Sequence, residues 1–133
     1  MGNKGYLLDT NAIIRHLSND AKIGNKAKKL IIESENSSKY IPLYISVISL
    51  MEIMYLAEKK RIPLTLREMI KSIRSKVCYQ IIDLDTEILL AAEKISFYEL
   101  HDRLILGTAS YLGVPILSSD REFKKVKEIK IIW

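Results

Sequence analysis

Four acidic side chains stand where a predicted buried strand gives way to a helix or a turn, or near the start of a predicted helix. This acid quartet consists of Asp9, Glu52, Asp102 and Asp120. A carboxylate can cap a helix, bind a metal ion or transfer a proton, and Asp9, followed by Thr10 and Asn11, would suit a cap if it stood alone. The chemistry therefore depends on whether the fold brings the quartet to one place.

Two members of the quartet directly follow short apolar runs. Asp9 ends the run YLLD, and Asp120 follows the run PILSS. Short, continuously apolar runs are typical of parallel strands, which are buried on both faces. The carboxyl ends of parallel strands lie at one edge of the sheet, where the active sites of α/β folds gather. We expect Asp9 and Asp120 at that edge.

Asp102 opens a predicted helix over residues 102–112. Apolar residues follow it at spacings of three, four and seven, which places Asp102 on the core-facing stripe of the helix. The N-terminus of this helix returns to the carboxyl edge, where the helix dipole favours a carboxylate. Gly107, inside the helix, predicts close packing against the sheet. Asp102 is thus directed to the same edge as the first two acids.

Glu52 allows two interpretations. The segment SLME (Ser49–Glu52) has the S-x-x-E pattern of a capping box and opens the predicted helix Ser49–Lys60. That helix is apolar on nearly all sides, so we expect it to be buried. A buried carboxylate is costly unless it is paired or bound to metal, and the two roles are compatible.

Carboxylates gathered at one edge repel one another. Two like charges about 4 Å apart repel by about 4 kcal/mol at an effective dielectric near 20. A divalent cation is the natural partner, and all-oxygen ligands suit Mg²⁺ or Mn²⁺. With one cysteine and two histidines in the chain, zinc is a poor match.

The whole chain predicts one domain over residues 1–133, with helices alternating with strands around a parallel sheet. The predicted strands are Tyr6–Asp9, Leu43–Val47, Tyr79–Asp83, Pro115–Ser119 and Ile129–Trp133. No apolar run is long enough to span a membrane, no signal-peptide pattern is present, and the single Cys78 suits a reducing cytoplasm. The net charge of +5 permits binding to nucleic acid.

In this order, the acidic segments resemble those of PIN-domain ribonucleases, especially the VapC-type toxins of toxin–antitoxin pairs. The segments are LLDTNAII, ISVISLMEIMYLAEK, HDRLILGTASYLGVPILSSDREF and the closing strand. The resemblance implies a PIN-like three-layer α/β/α fold with a five-stranded parallel sheet, and cleavage of RNA that depends on Mg²⁺ or Mn²⁺. It makes the quartet the catalytic, metal-binding residues, supported by Asn11 and Ser118. It also implies a homodimer and a cognate antitoxin.

Other residues near these motifs are candidates for contacts with the substrate or the site. Arg103 and Arg121 each directly follow a quartet acid, and we expect them to bind RNA phosphates. Glu99, one turn before Asp102, could join the site, although an exposed loop acid is the more ordinary role. Ser119 stands where PIN toxins often carry a basic residue between the serine or threonine and the last acid.

Three alternatives stay open. A metal-independent ribonuclease would use His16 and His101 as general base and acid. A haloacid-dehalogenase-like phosphatase also places an aspartate after its first strand, but the segment DTN lacks the second aspartate expected two residues later. A PIN nuclease of RNA processing, or a catalytically silent module that binds RNA or a protein partner, would share the fold.

Overall fold

The computed structural model describes residues 5–133, in which five short strands alternate with helices. The strands are β1 (Tyr6–Leu8), β2 (Leu43–Ser46), β3 (Tyr79–Ile82), β4 (Ile116–Leu117) and β5 (Ile131–Ile132). The helices are α1 (Thr10–Leu17), α2 (Asn25–Asn36), α3 (Val47–Glu58), α4 (Leu66–Arg74), α5 (Thr86–Glu93) and α6 (Leu100–Leu112), and a 3₁₀ turn spans Arg121–Lys125. Residues 1–4 of the predicted domain lie outside the described residues.

The strands form one parallel sheet in the order β3-β2-β1-β4-β5, which confirms the predicted five-stranded parallel sheet. The central strand β1 lies between β2 and β4. Their carboxyl ends are therefore neighbours at one edge of the sheet, at the position where the chain passes to opposite sides of β1. Such a switch point opens a crevice in parallel α/β sheets, and this is where ligands bind.

Helices cover both faces of the sheet, as predicted for three layers. Successive residues of a strand point to opposite faces. Leu8 accordingly packs with Ile31 and Met69 in one core, whereas Leu7 packs with Ile105 in the other. Leu7 and Leu8 are 0% and 1% exposed, so β1 is buried on both sides. This burial fixes the register of β1 and thereby the position of the residue that follows it.

The prediction that Gly107 packs against the sheet is wrong, because this residue lies at the contact between α6 and α5. A Cβ atom at this position would lie 2.6 Å from the Cβ of Ala92, so Gly107 faces α5 and not the sheet. Arg103 adds to the same contact, because its Nε donates to the carbonyl of Ala92 and its Nη2 to that of Glu93, both at 2.9 Å. Arg103 therefore satisfies carbonyls at the C-terminal end of α5.

The prediction that the third helix is buried on nearly all sides is wrong. Ile53 is fully buried, but Met51, Met54 and Tyr55 are 40%, 40% and 52% exposed. Helix α3 thus presents an apolar outer face. Among residues 5–133, no helix combines the length and apolar character required to cross a membrane.

Candidate active site

Asp9 lies at the carboxyl end of β1, where both of its carboxylate oxygens are bound. Oδ1 accepts a hydrogen bond from the backbone N–H of Thr10, and Oδ2 accepts one from the hydroxyl of Ser118, each at 2.8 Å. Burial raises the pKa of Asp9 above its ordinary value, while these two hydrogen bonds favour the charged form. Asp9 is therefore a buried carboxyl held in one orientation from two sides.

Glu52 is not part of a capping box, contrary to that interpretation of SLME. Helix α3 begins at Val47, and the hydroxyl of Ser46 caps it by accepting a hydrogen bond from the N–H of Ile48 at 3.0 Å. Ser49 and Glu52 consequently lie inside the helix. Because the N-terminal N–H groups have another cap, the position of Glu52 calls for a different explanation.

Thr10 connects Glu52 to the first acid. The hydroxyl of Thr10 donates to Oε1 of Glu52 at 2.6 Å and lies 3.0 Å from Oγ of Ser49. Thr10 is buried and directly follows Asp9. Sequence analysis assigned it no role at the site, although its place between Asp9 and the apolar stripe of α1 was a signal. A single residue thus links the β1 acid to the α3 acid.

Asp102 lies in the first turn of α6, which begins two residues earlier than predicted. Glu99 is the N-cap of this helix, and its Oε1 accepts a hydrogen bond from the N–H of Asp102 at 2.7 Å. Burial raises the pKa of Asp102 to about 7, and the negative charges of Glu99, Asp9, Asp120 and Glu52 contribute in that order. Asp102 thus experiences the charge of every other quartet member.

Asp120 begins the 3₁₀ turn that follows β4. Its Oδ1 accepts a hydrogen bond from the N–H of Glu122 at 2.9 Å, and its own N–H donates to the hydroxyl of Ser118 at 3.0 Å. Ser118 therefore contacts both Asp9 and Asp120. Asn11 is exposed, and within residues 5–133 its side chain makes no hydrogen bond to the quartet.

The quartet is an acidic site without a compensating cation in the described part of the chain, where none of its members forms an ion pair. Its oxygen donors and its unbalanced negative charge fit Mg²⁺ or Mn²⁺. As the side chains stand, however, no three His, Cys, Asp or Glu residues between 5 and 133 are grouped as a metal-binding cluster. Binding of an ion would therefore require the carboxyl groups to turn towards one another.

The basic candidates occupy different surroundings. Arg121 is exposed beside Asp120, whereas Arg103 is bonded to the end of α5. Nε2 of His16 lies 3.0 Å from Oε2 of Glu35 on α2, and Nδ1 of His101 lies 3.8 Å from Oε2 of Glu99. The two histidines thus have separate carboxylate partners and do not contact each other, which weakens the case for a histidine acid–base pair.

Comparisons with known proteins agree with this architecture. The family model described as PIN domain matches residues 6–129, and a search of curated proteins finds no match. Among solved structures, DNA-bound VapBC2 from Rickettsia felis is 16% identical, with a TM-score of 0.70 and 96% of each chain covered. DNA-bound VapBC from Salmonella typhimurium is 22% identical, with the same TM-score and coverage. VapC20 from Mycobacterium tuberculosis, a toxin that cleaves the sarcin-ricin loop, is 16% identical, with a TM-score of 0.63 and coverage of 91% and 94%.

Proposed function

This chain belongs to the PIN-domain family, and from that premise we propose that it is a metal-dependent endoribonuclease that acts as the toxin of a toxin–antitoxin pair. The proposal depends chiefly on one observation, that Thr10 links Asp9 to Glu52 while the hydroxyl of Ser118 contacts both Asp9 and Asp120. The similarity to VapBC assemblies and to a toxin that cleaves the sarcin-ricin loop supports the toxin role and an RNA substrate.

The residues that would hold Mg²⁺ or Mn²⁺ are the quartet acids. Such an ion would supply a Lewis acid that polarises the phosphodiester and lowers the pKa of water. In-line attack of the water oxygen on phosphorus would break the P–O3′ bond, so the products would carry a 5′-phosphate and a protonated 3′-hydroxyl. The chain itself supplies orientation. Ser118 and the N–H of Thr10 fix the two oxygens of Asp9, and the hydroxyl of Thr10 fixes Glu52. These hydrogen bonds limit how much Asp9 and Glu52 must still be ordered when the carboxyl groups of the quartet turn towards an ion.

Basic residues would attract RNA to this acidic site. The chain carries a net charge of +5, and Arg121 is exposed directly after Asp120. Arginine binds phosphate through several N–H donors, so Arg121 is suited to hold a phosphate that flanks the scissile bond. Arg103 has the same position relative to Asp102, but two of its donors already bind α5.

The apolar outer face of α3 supports association with protein partners. Met51, Met54 and Tyr55 are each at least 40% exposed, and exposed apolar side chains that lie together mark interaction surfaces. We propose that the partners are a cognate antitoxin and a second copy of the chain. Light scattering should detect a dimer at micromolar concentration, and a monomer at high micromolar concentration would contradict the homodimer.

Cleavage of RNA by matched aspartate variants tests the proposed function. Asp9→Asn should abolish cleavage in Mn²⁺. Asp83→Asn is the control, because Asp83 is exposed and follows β3 at the same edge of the sheet, two strands away from β1. This control should cleave like the wild type and leave 5′-phosphate ends. Equal cleavage by the two variants would refute the assignment of the quartet, and no cleavage by the wild type would favour a silent binding module.

A further inference from the structure

A groove borders the N-terminal end of α6. It has a volume of about 620 Å³ and is lined by the end of α5, the loop between α5 and α6, and the 3₁₀ turn. Its lining includes Lys94, Phe97, Tyr98, Arg103, Glu122 and Lys125. The acid site uses none of these side chains, so the groove is a separate feature of the surface.

Tyr98 forms an aromatic platform in this groove. Its side chain is 83% exposed, yet its ring is stacked on that of Phe97, with centroids 5.3 Å apart and planes inclined by 12°. Phe97 in turn meets the fully buried Phe123 edge to face, at 5.7 Å. The Tyr98 ring thus rests on the half-buried ring of Phe97, and its other face is open to solvent. It would lose little freedom on binding a second flat ring.

Two residues that line the groove, Tyr98 and Glu122, are close in sequence to acids of the site. Tyr98 directly precedes Glu99, whose carboxylate accepts a hydrogen bond from the N–H of Asp102. On the other side, the N–H of Glu122 donates to Asp120. The groove and the acid site therefore share the N-terminal end of α6 and the start of the 3₁₀ turn.

One cation in the groove is available for phosphate. Lys125 is paired with Glu122 at 2.8 Å, and Arg103 binds carbonyls of α5. Lys94 is exposed and forms no ion pair in the described part of the chain. An open aromatic face beside a free cation is the combination by which proteins bind single-stranded nucleic acid without reading its sequence.

We propose that Tyr98 stacks on an unpaired base of the RNA substrate, next to the scissile phosphate, while Lys94 contacts the adjoining backbone. The inference deepens the proposed function and rests on it. This contact requires RNA that is unpaired on this side of the cleavage site. A base paired in a duplex does not offer its face to a side chain in this way.

The test is a double-mutant cycle between the tyrosine and the bases of an RNA probe. The probe is a labelled single-stranded RNA of about 12 nucleotides, carrying one abasic site that is moved along the chain. Affinities are measured in an Asp9→Asn background, which prevents cleavage. Tyr98→Ala should lose about tenfold in affinity, and Tyr98→Phe should retain it because the ring remains. Tyr111→Ala is the control, because Tyr111 is also an exposed tyrosine but lies about 14 Å from Asp102 along α6.

The outcomes separate this inference from the proposed function. The stacking role is supported if one abasic position weakens RNA binding by the protein that retains Tyr98 but not by Tyr98→Ala. Equal affinities for Tyr98→Ala and Tyr111→Ala, or additive losses at every abasic position, would overturn the stacking role and leave the nuclease intact. If Tyr98→Ala binds RNA as tightly as the wild type but no longer binds the antitoxin, the groove is a protein interface and the inference fails. If the wild type neither binds nor cleaves RNA, both proposals fail.

Discussion

The hydroxyl of Thr10 donates a hydrogen bond to Oε1 of Glu52 at 2.6 Å, so the residue directly after the first acid orients the second. The two residues belong to different helices, α1 and α3, and are 42 positions apart in sequence. The contact converts two independent acid motifs into one arrangement and leads to the first prediction.

Replacing Thr10 with valine removes this hydroxyl while keeping the shape of the side chain. We expect Mn²⁺ affinity and RNA cleavage to fall roughly 10- to 100-fold, as when a group that orients a metal ligand is lost. The free energy of unfolding should fall by only about 1 kcal/mol. Thr10→Ser should retain both properties because the hydroxyl remains. Metal titration calorimetry checks the affinity, and unchanged Mn²⁺ binding by Thr10→Val would show that Thr10 has only a structural role.

Glu52→Gln distinguishes a metal ligand from a structural acid. The amide oxygen of glutamine can still accept the hydrogen bond from Thr10, so stability should change little. Loss of the negative charge should weaken Mn²⁺ binding more than Thr10→Val does and reduce cleavage strongly. Cleavage measured at limiting Mn²⁺ provides the check. A rate equal to that of the wild type would remove Glu52 from the site.

Asp102→Asn should stabilise the metal-free protein at neutral pH. Burial and the neighbouring acids raise the pKa of Asp102 from 3.8 to about 7 in the folded state. Between these values the folded protein holds a proton that the unfolded chain has released, so stability falls as pH rises through this window. Because the carboxyl is only half-buried, solvent screening limits the gain from Asn to about 1 kcal/mol, or about 3 °C.

Thermal melts in EDTA at pH 5 and pH 8 measure this effect. The advantage of Asp102→Asn over the wild type should be larger at pH 8 than at pH 5. Asp83→Asn is again the control, and its stability should follow the pH profile of the wild type. Parallel profiles for all three proteins would show that Asp102 does not titrate in this window.

The two arginines should respond differently to replacement by alanine. Arg121→Ala should weaken the binding of many RNA sequences alike and reduce the salt dependence by about 0.7 units of slope for one lost phosphate contact. Arg103→Ala should lower thermal stability, because two backbone carbonyls of α5 lose their partner. Binding isotherms at several salt concentrations, combined with melts, separate the effects. An unchanged slope for Arg121→Ala would make this residue an ordinary surface charge.

Much of the fold could be predicted from sequence because it depends on local patterns. The apolar runs predicted where the five strands lie along the chain, and all five are present. The same logic placed Asp9, Asp102 and Asp120 at one edge. It failed for the start of α3, because both Ser46 and Ser49 can cap and the pattern S-x-x-E does not say which one does.

The features that sequence analysis missed are contacts between distant segments. The bond from Thr10 to Glu52 and the support of Tyr98 by Phe97 and Phe123 depend on how separate elements pack, which no local pattern encodes. The same reason explains why Gly107 was assigned to the sheet, although it faces α5.

Cleavage of RNA by the purified protein before and after removal of divalent metal tests the central claim most directly. The acid quartet has no compensating cation within residues 5–133, so the proposed nuclease would depend on a bound ion. We predict cleavage in Mg²⁺ or Mn²⁺, none in EDTA, and full recovery when Mn²⁺ is restored. Undiminished cleavage in EDTA that is lost on His101→Ala would contradict the metal-dependent mechanism and favour histidine acid–base catalysis.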